Sequence, residues 1–76
     1  MRKVVVYTAA ECGLCRRALE VVREVGQEVA FELDVVDIGG DSELEARYRE
    51  HLPVIEIDGE RAFTYFVDPA ALRARL

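Results

Sequence analysis

Val4-Val5-Val6-Tyr7-Thr8-Ala9-Ala10-Glu11-Cys12-Gly13-Leu14-Cys15 is the stretch that decides the fold. The run Val4–Tyr7 is β-branched and aromatic without interruption, which suits a strand buried on both faces. Thr8–Glu11 reads as a short loop. From Leu14 onward the apolar residues Leu14, Ala18, Val21, Val22 and Val25 recur at helical spacing. Arg16, Arg17, Glu20, Arg23 and Glu24 fall mostly on the opposite side. Gly26 stands where a C-terminal cap belongs. The two cysteines therefore straddle the start of a helix, with Cys12 at or just before its first turn and Cys15 one turn inside.

The cysteines are the only two in the chain, and their spacing is C-x-x-C. A disulfide between them would close a four-residue loop and stabilise the fold by only about 2 kcal/mol, too little for a structural staple. Structural zinc normally takes four ligands, and two thiols with His51 fall short. A redox dithiol fits the placement better. The thiolate is the nucleophile in disulfide exchange, and a helix N-terminus offers it unpaired N–H groups and a positive dipole end. Cys12 is placed to receive both, and Cys15 to attack the resulting mixed disulfide. Arg16 and Arg17 favour the thiolate and Glu11 opposes it; the sequence leaves that balance open.

Outward from this unit, Val29–Val35 alternates apolar and acidic residues, as a strand with one buried face should. Strand, helix and strand in this order imply parallel strands joined by a right-handed crossover. Gly39-Gly40 breaks the chain, and Ser42-x-x-Glu45 is a capping-box pattern opening a short helix with Leu44 and Tyr48 on one face. Pro53 ends that helix by pushing Leu52 out of the helical region. Val54–Ile57 is a strand, Asp58-Gly59 a type I′ turn, and Arg61–Tyr65 the returning strand. Asp68-Pro69 opens a last helix, Asp68 as cap and Pro69 at its first position, with Ala71, Leu72 and Leu76 packing back. The expected architecture is α/β: a four-stranded mixed sheet with three helices, order β-α-β-α-β-β-α, in one domain spanning 1–76.

Composition narrows the function. The chain has 76 residues, 15 acids against 10 bases and a net charge of −5, with the bases scattered. Its field repels a nucleic-acid backbone and disfavours an anionic membrane surface. No apolar run reaches the roughly 20 residues that span a bilayer. Arg2-Lys3 leads into only a few apolar residues before Glu11, so no secretory signal is expected and the cytoplasm is the expected location. Nine of the bases are Arg, and the chain has no Asn and one Gln. That pattern fits heat adaptation or GC-rich coding equally and does not bear on function.

Taken together, Tyr7-Thr8 before Cys12-Gly13-Leu14-Cys15, and Leu52-Pro53-Val54 opening the late hairpin, resemble a minimal thioredoxin-fold protein of the glutaredoxin type. The likeness runs nearly end to end and is greatest for glutaredoxin-like proteins with an x-Cys-x-Leu-Cys dithiol and a Tyr-Phe-Val-Asp tail, here Tyr65–Asp68. The resemblance implies a thiol–disulfide oxidoreductase with Cys12 and Cys15 as catalytic pair. Gly13, Leu14, Leu52 and Pro53 would lie against the substrate, with Pro53 cis and Leu52 presenting its backbone. The redox-active disulfide would be its only cofactor, with no metal. Its implied partners are a disulfide-containing protein substrate and a thiol or flavoprotein reductant. The glycine pair that holds glutathione's γ-glutamyl end in glutathione-using relatives is absent before Asp68, which counts against glutathione dependence.

The rival is a copper-chaperone-like carrier, or a zinc- or cluster-bridged dimer, using the same C-x-x-C. The copper carrier usually has Met where Ala10 stands and ends on a strand. A monomer is expected, since no long apolar stripe is left over. His51 is either an exposed helix-end residue or the rim of the dithiol. Tyr7, Phe63, Tyr65 and Phe66 read mainly as core and edge packing, with Phe66 a lesser candidate for a partner groove.

Overall fold

The computed structural model describes residues 1–76. Its elements are β1 (Lys3–Thr8), α1 (Gly13–Gly26), β2 (Glu32–Asp37), α2 (Ser42–Tyr48), a 3-10 turn (Arg49–His51), β3 (Val54–Ile57), β4 (Glu60–Thr64) and α3 (Pro69–Arg75). The strands form one mixed sheet in the order β2-β1-β3-β4, with β1 parallel to β2 and antiparallel to β3. The expected α/β architecture and element order are the ones observed.

Side-chain alternation along β1 divides the core into two. Val4 and Val6 stand beside Ile57 and Ile55 on one face. They pack with Ala18, Val22 and Val25 of α1 and Leu72 of α3 in the larger cluster. On the other face Tyr7 lies next to Val54, and Tyr48 of α2 stacks on the Tyr7 ring at 4.0 Å between centroids. The smaller cluster there joins Ile38, Tyr48, Leu52 and Val54 to Cys15. β1 is thus not buried on both faces. Val5 and Tyr7 stay half-exposed, because the seven-residue α2 is too short to cover their side of the sheet.

Several local expectations shift for identifiable reasons. β2 begins at Glu32, not Val29. The amides of Glu28 and Val29 both donate to the Val25 carbonyl, so the end of α1 consumes them, and the ladder starts with Glu32 N–H on the Arg2 carbonyl. The face of β2 expected to be buried is partly open at the sheet edge, with Leu33 37% and Val35 39% exposed. Gly26 is the last helical residue rather than a left-handed cap. A β-carbon there would sit 3.3 Å from the Phe31 ring, so its smallness makes room for that ring. Asp41, not Ser42, caps α2, its carboxylate accepting the Leu44 amide at 3.1 Å. Glu45 pairs with Arg49 instead of closing a capping box. β4 spans Glu60–Thr64, one residue earlier than expected, and Ala62 is left unpaired opposite β3 in a bulge.

The hairpin and the last cap form where they were expected. Asp58 and Gly59 both have positive φ, 51° and 85°, as a type I′ turn requires. The Asp68 carboxylate accepts the Ala71 amide at 2.9 Å, and Pro69 opens α3.

Asp58 also ties the hairpin to the start of β1. Its carboxylate accepts the Lys3 amide at 2.9 Å and an Arg2 N–H at 2.7 Å. The backbone N–H first, and then the guanidinium, hold its carboxyl below the usual carboxylate range. A depressed folded pKa contributes stability above the unfolded value near 4 and loses it as pH falls through the folded value. Asp58→Asn, which tolerates the left-handed turn, is expected to be less stable than the parent at pH 7. The difference should close below about pH 4 in denaturant melts across pH; a constant difference would remove the charge from the account.

Candidate functional site

The two cysteines sit at the junction of the β1–α1 loop and α1. Glu11, with φ 60°, turns the chain sharply just before them. Cys12 is the N-cap of α1 in extended conformation, and its Sγ accepts the Cys15 amide at 3.2 Å. One of the helix's otherwise unpaired amides therefore points at this sulfur. The two sulfurs are joined in a disulfide, with Cα atoms 5.3 Å apart.

Burial separates the pair. Cys15 is 1% exposed and belongs to the smaller core cluster, whereas Cys12 is half-exposed at its margin. A depression of about 280 Å³ opens beside Cys12, lined by Thr8–Glu11, Arg16 and Leu19. One cation and one anion, Arg16 and Glu11, thus share the wall next to the accessible sulfur. Gly13 faces open space, with nothing within 4 Å of where a β-carbon would stand. Leu14 is 40% exposed between the cysteines.

Leu52 packs in the same cluster as Cys15 and Cys12, so the chain end of α2 and the dithiol meet. Its backbone is extended, with φ −66° and ψ 141°. Its N–H lies at the end of the 3-10 turn, and its C=O enters the extended Pro53 segment. The Leu52–Pro53 peptide bond is cis and Pro53 is buried.

His51 is half-buried, and its partner is Tyr65, with Nδ1 3.3 Å from the tyrosine oxygen. Phe63 packs against the larger cluster, but Tyr65 and Phe66 do not serve as core packing: they are 41% and 72% exposed.

Sequence reasoning passed over a polar network beneath the second face. Glu56 of β3 accepts from Tyr48 Oη at 2.9 Å and from Tyr7 Oη at 3.3 Å. Arg47 and Arg61 lie over the Tyr48 ring, 6.0 and 5.6 Å from its centroid. Burial, then the Tyr48 hydroxyl and the Glu56 charge, push the Tyr7 hydroxyl up to about 12. The signal was present as the lone acid inside Val54-Ile55-Glu56-Ile57. The network braces the sheet face adjoining the dithiol and holds Tyr7 neutral.

A disulfide at a helix N-terminus, on a strand–helix turn of this fold, supports a redox-type role. Comparison with known proteins agrees on the frame. The model of a family described as glutaredoxin-like domain (DUF836) matches residues 3–76. The uncharacterized protein Rv0508 of Mycobacterium tuberculosis is 31% identical over 77 residues, covering 95% of this chain and 79% of that protein. The solution structure of protein Ne2328 from Nitrosomonas europaea superposes with a TM-score of 0.83 at 31% identity, covering 99% of this chain and 91% of that one. Chloroplastic thioredoxin z shares the fold alone, with a TM-score of 0.80 at 20% identity over 99% of this chain and 74% of its own. The chain belongs to the glutaredoxin-like domain family and carries the thioredoxin fold of a small redoxin.

Proposed function

We propose that this protein is a small dithiol redoxin, a thiol–disulfide oxidoreductase whose couple is Cys12–Cys15. In the reduced protein the Cys12 thiolate attacks one sulfur of a substrate disulfide. The other substrate sulfur leaves as a thiolate and takes up a proton. Cys15 then loses its proton and attacks the Cys12 sulfur, releasing the second substrate thiol and closing the Cys12–Cys15 bridge. Two electrons and two protons pass to the substrate, and a thiol or flavoprotein reductant returns them.

The observation that carries this reading is the asymmetry of the pair. Cys12 is accessible and receives an amide of the helix terminus, while Cys15 is buried directly behind it. An exposed sulfur stabilised as a thiolate is a nucleophile, and a shielded one reacts only when the first has been captured. Leu52 adds support, because its extended backbone beside the dithiol suits pairing with an extended substrate segment. Gly13 leaves open space for that segment, and Leu14 and Pro53 would flank it. We place the protein in the cytoplasm as a monomer acting on protein disulfides, with the redox-active disulfide as its only cofactor.

A copper-chaperone-like carrier has its hairpin mid-chain, whereas here the hairpin is β3–β4, after two helices, in a sheet of order β2-β1-β3-β4. A metal bridged between two copies would be seen by metal analysis and absorbance of freshly purified protein.

The direct test is capture. Cys15→Ser, mixed with a disulfide-bonded protein, should gain the mass of one substrate half and lose it on adding dithiothreitol. If the wild type turns over but Cys15→Ser gives no adduct, the order of attack is wrong.

A further inference from the structure

Beside the dithiol, a groove of about 340 Å³ runs along α1 on the side facing α3. Leu14, Ala18 and Val21 form its floor, and Phe66 and Pro69 form its far wall. It starts at Leu14, the residue between the two cysteines, and shares no lining residue with the depression beside Cys12. Phe66 is 72% exposed, and with Tyr65 at 41% and Leu14 at 40% it makes the groove an open apolar patch rather than a lone exposed residue.

The backbone holds Phe66 there. Tyr65 has φ 64°, and the Phe66 amide donates to the Thr64 carbonyl at 2.7 Å, so Thr64–Phe66 is a three-residue turn around a left-handed non-glycine centre. Such a turn persists only when its surroundings fix it. Here the Tyr65 amide donates to the Pro53 carbonyl at 3.0 Å and its hydroxyl to the Glu50 carbonyl at 2.9 Å. The wall of the groove is therefore clamped to the Pro53 segment that flanks the dithiol.

Charge marks the groove's two ends. Arg17 lies at the dithiol end and Glu24 at the far end. Seven residues of helix separate them by about 10 Å, the reach of about three extended residues.

We propose that this groove is a specificity subsite of the dithiol, holding an apolar side chain of a protein partner near its reactive cysteine, with a basic residue beyond it against Glu24. The proposal rests on the Cys12–Cys15 reading and names the substrate class that reading leaves open. The partner is an extended segment in which a large apolar residue follows the cysteine and a Lys or Arg comes about three residues later. A small polar thiol such as glutathione leaves the groove empty.

The test uses short peptides joined by a mixed disulfide to a small thiol. Each carries phenylalanine two residues after its cysteine and either lysine or glutamate three residues further on; bis(2-hydroxyethyl) disulfide serves as the reference substrate. Wild type should reduce the lysine peptide about two- to fivefold faster than the glutamate peptide at low salt, as for an exposed ion pair. Glu24→Arg should reverse that order, and 1 M salt should erase it. Phe66→Ala should slow both peptides about tenfold relative to the reference, the effect of losing part of a buried aromatic contact.

Equal relative rates for wild type and Phe66→Ala, or an unchanged order in Glu24→Arg, overturn the subsite. So does a wild-type dimer in sedimentation that Phe66→Ala dissociates, since a second copy then fills the groove. Failure to reduce even the reference disulfide rejects the dithiol reading itself, and the subsite with it.

Discussion

Cys12→Ser is expected to lose disulfide-reducing activity to background, a fall on the order of a thousandfold or more, because the nucleophile is gone. The fold should survive the change. Serine is a better N-cap than cysteine, and its Oγ can accept the Cys15 amide that Sγ accepts now. The bridge lost with it closes only a four-residue loop, worth about 2 kcal/mol before strain. Loss of activity with an intact circular dichroism spectrum therefore isolates chemistry from folding. Cys15→Ser makes the contrast, since it keeps the attacking sulfur and loses only the release step. Full activity in Cys12→Ser would move the chemistry elsewhere in the chain.

Leu72→Ala should be the most damaging of the truncations that leave the dithiol untouched. Leu72 is fully buried, and it joins α3 to Val4, Val22 and Ile55 in the larger cluster. Removing three buried carbons costs the transfer energy plus a cavity, about 2–5 kcal/mol for a leucine. A 76-residue chain buries little enough surface that its whole stability lies near the low end of about 5–15 kcal/mol. At about 4–8 °C per kcal/mol the melting temperature should fall by roughly 8–40 °C. Leu33→Ala, on the open edge of β2 where the side chain is 37% exposed, should cost far less. Equal losses in the two variants would mean that α3 does not close the core.

The elements most legible in the sequence are those fixed by local chemistry. A β-branched run, a helical repeat after Cys12, Asp58-Gly59 and Asp68-Pro69 each specify their own backbone, and each forms where the pattern says. The misplacements fall where a competing partner for one group decides the boundary. Gly26 reads as a cap by residue type, but it stays helical and its smallness accommodates the Phe31 ring. Val29 reads as a strand residue until its amide is found on the Val25 carbonyl. Ser42 and Asp41 are both good caps, and the carboxylate takes the position.

The candidate site divides in the same way. The placement of Cys12 and Cys15 follows from where α1 starts, so the sequence shows it. The environment of the pair depends on segments about 40–50 residues away, Leu52-Pro53 and Tyr65-Phe66. The outward turn of Phe66 depends on hydrogen bonds from Tyr65 to Pro53 and Glu50. Tyr65 has no left-handed preference of its own, so no local signal marks that turn.

The central claim is that Cys12–Cys15 is a working redox couple rather than a fixed bridge. An equilibrium redox titration, with thiols trapped and counted by mass, tests it most directly. The account predicts an intramolecular two-electron couple with a midpoint roughly between −270 and −180 mV, the span of thioredoxin-like to isomerase-like dithiols. A midpoint below about −300 mV would identify an inert structural disulfide and contradict it.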